Sequence, residues 1–264
     1  MNRYSQETYA PLMEQGIYGK IKRLARPYYY DSGPNSWTHI MLVYSQAVRF
    51  AQHTDRRQIT PVEYAAVLFH DSSCKARPDK VDHNIYGAEN ARKELTGVLA
   101  PEEVDEVCQA IVEHTDKDGN WTSVTSELLA AADFNPPDYE WLVHKSYCYN
   151  KRRGLSDEET YERVPDTLRS MYGSHGSVKM PSYYIDYYGP RIREQQRRID
   201  KLTPGEVERV VTEYRRKQNR APGDWDYGEP SCEAYVVTIP NQGSAADIID
   251  NLFRSMFWGV QMAR

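Results

Sequence analysis

Thr60-Pro61-Val62-Glu63-Tyr64-Ala65-Ala66-Val67-Leu68-Phe69-His70-Asp71 is the stretch on which the reading of the fold turns. Thr60 suits an N-cap, Pro61 suits the first helical position, and Glu63 completes a capping box, so a helix opens here and runs to about His70. Its second half is an unbroken apolar run that ends on an imidazole and a carboxylate. A carboxylate at the end of such a run needs a partner, because burying it unpaired is costly. A metal ion is one partner that fits.

Helical signals continue on both sides. Residues 37–52 (WTHIMLVYSQAVRFAQ) repeat apolar groups at helical spacing, and residues 81–96 form another amphipathic segment. Pro101 opens 101–114 with acids in its first turn, as the helix dipole favours. Thr122 or Ser123 caps a helix that passes Leu128, Leu129 and Ala132 and ends at Asp133. Residues 1–35 read as a short helix followed by a Tyr-, Pro- and Gly-rich loop. The stretch SMYGSHGSVKMPSYYIDYYGP, residues 170–190, reads as a loop, with His175 on it as a lid candidate. Helices follow at roughly 190–200 and 204–218, the second with Thr203 and Glu206 as a capping box. Tyr235–Ile239 reads as a short strand. Ser244 caps a last amphipathic helix that serves as core or as the interface of a homo-oligomer.

The expected class is therefore all-α: a helical core over residues 1–150, with an extension over 151–264 packed on it. The chain's 264 residues and its 40% apolar content suffice for a sizeable core. The 21 tyrosines against five phenylalanines suit half-wet pockets and interfaces. A net charge of −5 gives no strong nucleic-acid signal, although residues 151–220 form a basic stretch between two acidic ones. Cys74, Cys108, Cys148 and Cys232 form no CxxC pair, so neither a zinc knuckle nor a disulfide framework is indicated. The N-terminal MNRYSQETYA lacks a signal-peptide core, and no run approaches the roughly 20 apolar residues of a membrane span. The expectation is a cytoplasmic protein with no membrane partner.

The candidate chemistry lies in a series. His39 stands on one helix and His70-Asp71 ends a second. His83 precedes Gly87-Ala88 (HNIYGA), His114 lies in IVEHT, and Asp133 ends ELLAAAD. This order resembles the HD-domain superfamily of metal-dependent phosphohydrolases over roughly residues 35–150. The contexts of His83 and His114 are similar to the extended motif of its bacterial diadenosine tetraphosphate hydrolases. The resemblance implies that His39, His70, Asp71 and Asp133 ligate a divalent ion, with His83 and His114 as ligands of a second. Imidazole with carboxylate suits Mn, Fe, Zn, Ni or Co, and Mg also remains open. Two positions depart from the pattern. Lys75 stands one place later than the superfamily's lysine, and Thr115 stands where a second histidine would follow His114.

The roles that follow are catalytic for Asp71, His83 and His114. Lys75, Arg77, Lys145, Arg152 and Arg153 are candidates for binding phosphate, and Tyr149 for stacking on a base. For all of these the plainer alternative is a helix cap, a solvated loop or ordinary packing. The implied activity is hydrolysis of a phosphate ester or anhydride on a nucleotide or similar small metabolite. A phosphodiesterase on cyclic or dinucleotides, an inactive nucleotide-binding regulator of the same fold, and RNA binding through the basic stretch are the alternatives.

Overall fold

The computed structural model describes residues 16–31, 36–75 and 82–217. The expected strand at Tyr235–Ile239 and the last helix lie outside them. The described residues are all-α, with ten helices and no β-strand. We number them α1 (Gly16–Ala25), α2 (Trp37–Phe50), α3 (Pro61–Phe69), α4 (His83–Leu95), α5 (Pro101–Glu113), α6 (Val124–Asp133), α7 (Tyr139–Arg152), α8 (Asp157–Tyr172), α9 (Ser182–Asp200) and α10 (Pro204–Lys217). None is long and apolar enough to cross a membrane. The chain divides into two compact units. The first runs to Asn135 and regains Lys179–Tyr187; the second holds Pro136–Val178 and the chain from Tyr188 onward.

Helix α3 is the hub of the first unit. Every residue from Val62 to Phe69 is buried, and α1, α2, α4, α5 and α6 all pack against it. A helix apolar on all sides is stable only when surrounded, which is why the shortest helix lies deepest. Its start is fixed as the sequence requires: Thr60 Oγ1 accepts from Glu63 N at 3.2 Å, and Thr60 N donates to Glu63 Oε2 at 2.7 Å. Buried Glu63 also receives both guanidinium nitrogens of Arg57, at 2.7 and 2.6 Å. Arg57 is about one-third exposed and also pairs with Asp55 at 3.1 Å, so it is not stranded when Glu63 is removed. Glu63→Ala is therefore expected to lower unfolding free energy by about 1–2 kcal/mol in urea titrations through the lost cap, with Glu63→Gln costing less because it keeps a capping oxygen.

In the second unit, Tyr139, Val143 and Tyr147 of α7 repeat every four residues and face Val164 and Leu168 of α8, Ile199 of α9, and Val207, Val210 and Val211 of α10.

One sequence expectation is corrected. Residues 182–190 are helix, not loop: α9 runs unbroken from Ser182 to Asp200 with Pro190 inside it. The tyrosines and glycine suggested a loop, but Tyr183 and Tyr184 are buried at the start of the helix, and Tyr188, Ile192 and Ile199 are buried along one side of it. That burial outweighs the bond lost at Pro190. The first turn of α9 is tied within the first unit: Tyr183 Oη donates to Asp55 Oδ2 at 2.5 Å, and Thr54 Oγ1 to Asp186 Oδ2 at 2.7 Å. The capping box expected at α10 is half present. Glu206 N donates to Thr203 Oγ1 at 3.3 Å, but the Glu206 carboxylate turns to Arg209.

Candidate metal centre

Five helix ends meet in the first unit, and each carries a residue of the series. His39 is the third residue of α2, held by the Ser36 N-cap, and His83 is the first residue of α4. His70 and Asp71 follow α3, His114 follows α5, and Asp133 is the last residue of α6. Three of the five ends are C-termini, whose unpaired carbonyls favour a cation nearby.

His39 Nε2 lies 3.5 Å from Asp71 Oδ2 and 3.4 Å from Asp133 Oδ1. His70 Nε2 lies 3.6 Å from each of the same two oxygens. Two atoms each about 2.1 Å from one ion at the tetrahedral angle are about 3.4 Å apart, so each of these four imidazole–carboxylate pairs stands at ligand spacing. The other oxygen of Asp71, Oδ1, faces away toward His83 Nε2 at 3.7 Å. His114 completes the group: its ring centroid is 5.2 Å from that of His70 and 5.4 Å from that of His83. Ligand atoms of His39, His70 and Asp133 fall within 4.8 Å of one another, and so do those of His70, Asp71 and His114.

Two imidazoles are set for ligation by their own helices. His70 Nδ1 lies 2.9 Å from Val67 O, and His114 Nδ1 lies 2.6 Å from Ile111 O. A carbonyl can only accept, so Nδ1 carries a proton in both and Nε2 is the atom turned to the cluster, as a lone pair in any ring that is neutral. Both Nε2 atoms are buried and neither has a hydrogen-bond partner. An orphaned buried nitrogen costs about 1–3 kcal/mol. With two carboxylates beside them these nitrogens could ligate a divalent ion, and the residues fit one.

The charges agree. Burial would lower the pKa of His70, but the carboxylates of Asp71 and Asp133 overcome it and raise it to about 9. The two acids thus demand a positive charge between them, which a proton on His70 supplies in the chain alone. Burial and the His70 charge push His114 down to about 4, so it is neutral at pH 7. Asp133 is held well below the usual carboxylate range, where the His39 and His70 rings beside it outweigh its burial. Asp71 is likewise lowered, burial being offset chiefly by the His70 charge. Exposure is graded: His70 is fully enclosed, while His39 and Asp133 are about one-third exposed, at 31% and 32%. The cluster has a closed floor and an open side.

Several supports were not legible as functional. Tyr29 is buried, and its hydroxyl donates to Leu68 O at 2.7 Å at the end of α3. Burial and the Asp71 charge raise its pKa well above the usual phenol range. Cys74 Sγ lies 3.6 Å from Asp71 Oδ1. Ser73 Oγ donates to His83 O at 3.0 Å, and Asn84 Nδ2 to Val112 O at 2.8 Å, which ties the start of α4 to the end of α5. Asn84 inside HNIYGA, Cys74 before Lys75 and Glu113 before His114 sat beside residues the sequence had marked. Glu113 secures the chain beyond His114 by accepting from Thr122 N at 2.9 Å and Thr122 Oγ1 at 2.8 Å. Burial would raise the Glu113 carboxyl, but hydrogen bonds from Ser126, Thr122 and Gln109 hold it below its ordinary 4.5. With the folded value depressed, its contribution is present above pH 4.5 and is lost as pH falls through the folded value. Glu113→Gln is expected to destabilise the protein at pH 7, and the deficit against the parent should shrink at pH 3.5 in denaturant titrations.

The cations are placed differently. Lys75 is exposed and gives its ammonium to Pro27 O at 3.2 Å and to the Tyr30 ring at 4.9 Å. Arg77 and Lys80 lie outside the described residues. Lys145, Tyr149, Arg152 and Arg153 belong to α7 and its C-terminal end in the second unit, all exposed. There the Lys145 ammonium lies over the Trp141 ring at 4.6 Å, and Arg153 over the Tyr149 ring at 5.8 Å. Thr115 is exposed beside His114. His53 and His144 make ring contacts with Tyr187 and Tyr214, and His175 is exposed in the second unit.

No protein-family model, no curated protein and no solved structure matches the chain.

Proposed function

We propose that the chain is a metal-dependent phosphohydrolase acting on a nucleotide or a similar small phosphorylated metabolite. The observation that carries the metal is the convergence of His39, His70, His114, Asp71 and Asp133, whose ligand atoms form two groups within 4.8 Å, with the buried Nε2 atoms of His70 and His114 making no hydrogen bond. The resemblance of their order to the HD superfamily supplies the reaction class. His39, His70, Asp71 and Asp133 would hold the first ion. His83 and His114 would hold a second ion or bind the substrate phosphate, with Asp71 shared, since its two oxygens face the two sides. A divalent ion held there supplies a Lewis acid for a phosphoryl oxygen and acidifies water.

The chain's own residues do the rest. The ionised Asp71 sits at the floor, 9% exposed, where a carboxylate oxygen can take a proton from water arriving at the open side. The His70 and His114 rings keep their Nε2 atoms fixed through Val67 O and Ile111 O, so nothing has to reorganise when substrate binds. The floor excludes bulk water and strengthens each charge contact within it.

Metal analysis of purified protein joined to a phosphate-release screen tests the reading, over mononucleotides, dinucleotides and cyclic nucleotides with Mn added. Stoichiometric metal with release from at least one class is expected. Dinucleotide or cyclic substrates cleaved in preference would favour the phosphodiesterase form. Metal without turnover would point to an inactive binding protein, and a chain with neither metal nor turnover would overturn the proposal.

A further inference from the structure

The second unit carries a basic cavity that the metal centre does not use. It has a volume of about 410 Å³ and is lined by Tyr139, Arg197, Arg198, Lys201, Thr203 and Glu206. A smaller hollow of about 280 Å³ shares Tyr139 and Arg198 with it and adds Arg191 and Glu194. All of these residues lie on α7, on the end of α9, or at the turn into α10.

Its acids are already neutralised. Glu206 accepts two bonds from Arg209, at 2.6 and 2.8 Å, and Glu194 pairs with Arg197. Arg191 donates to Pro137 O at 2.8 Å. The Arg198 guanidinium lies over the Tyr139 ring, 3.6 Å from its centroid, and the two side chains line the cavity together. Among the described residues neither Arg198 nor Lys201 is ion-paired, and Lys201 is exposed. Thr203 caps α10, a helix of 14 residues, and Gly205 in its first turn has open space where a side chain would stand. The C-terminal dipole of α9 accounts for arginines in its last turn. It does not account for a cavity that gathers a guanidinium, an unpaired ammonium and a capped helix start around one space.

We propose that this cavity is a binding site for a small oligophosphate anion, of the diphosphate class. A planar guanidinium held on an aromatic ring matches two phosphate oxygens at once, a lysine adds a mobile charge, and the helix start adds the Gly205 N–H, since Pro204 has none and Glu206 N is taken by Thr203. The site is separate from the reading of the metal centre and does not depend on it.

The test is calorimetric titration of the full chain with methylenediphosphonate, which cannot be hydrolysed, beside inorganic phosphate and a nucleoside diphosphate. Methylenediphosphonate is expected to bind more tightly than phosphate and to weaken with added salt. Lys201→Glu should reduce the affinity by about tenfold or more, as should Arg198→Ala, whereas Asp71→Ala should leave it unchanged. Lys201 is exposed and unpaired, so its reversal leaves folding intact. Nucleoside diphosphate binding tighter than methylenediphosphonate would identify a nucleotide as the source of the phosphates. No binding, or binding that Asp71→Ala abolishes and Lys201→Glu does not, would overturn the proposal.

Discussion

Asp71→Ala is expected to lose phosphate release by about a thousandfold or more and to lower metal affinity by at least about a hundredfold. Asp71 faces both sides of the cluster with separate oxygens. Its Oδ2 stands at ligand spacing from His39 and His70, and its Oδ1 faces His83. A Lewis acid contributes several kcal/mol to a phosphoryl transition state, and each 1.36 kcal/mol is a factor of ten in rate. Fold and charge are separated by Asp71→Asn, which keeps size and hydrogen bonding while removing the charge that holds the ion. Both variants should keep the helical circular dichroism of the parent, because Asp71 lies beyond the end of α3 and takes no part in its hydrogen-bond ladder. If Asp71→Ala retains both metal and turnover, the cluster is not the site of the chemistry.

How much of this could be read from the sequence depends on what each signal measures. The capping box at Thr60 and Glu63 is local, and it forms as read. The apolar run behind it predicts burial on every side, and α3 is the hub. The six residues of the series lie 94 positions apart at the extremes, yet all stand at helix ends, so a helical bundle can bring them to one place. The orientation of each ring was not legible. It depends on a carbonyl three residues back and on burial, as at His70 and His114. Tyr29 gave no signal at all, since its contact with Leu68 is made across 39 residues. Composition misled at 182–190, where tyrosines and a Gly-Pro pair imitate a loop, and the burial of Tyr183, Tyr184 and Tyr188 that favours the helix is not written in the composition. The return of Lys179–Tyr187 to the first unit is likewise a long-range event, carried by contacts such as Tyr183 with Asp55.

Gly87 carries the second large effect. In the sequence it is the glycine of HNIYGA, four residues after His83, and in the fold it marks the closest approach of α4 to the end of α3. A Cβ at this position would lie 2.7 Å from His70 O, 3.1 Å from Phe69 O and 3.3 Å from a methyl of Ile111. The first two are backbone atoms and cannot rotate away, so Gly87→Ala must push α4 from α3. Ordinarily alanine stabilises a helix relative to glycine by about 1 kcal/mol, because it restricts the unfolded chain. Here overpacking reverses the sign, with a net loss of about 2 kcal/mol expected in thermal or urea unfolding. The functional loss should exceed what stability accounts for. Moving α4 carries His83 away from Asp71 Oδ1, and displacing His70 O shifts the residue whose Nε2 faces both carboxylates. A misplacement of about 1 Å at a reacting centre costs about a hundredfold in rate. Gly87→Ala is therefore expected to stay folded at 20 °C while losing turnover on that order and weakening metal binding. A variant as stable as the parent, with full metal occupancy, would show that α4 and α3 tolerate the wider spacing and that the glycine does not set the geometry of the cluster.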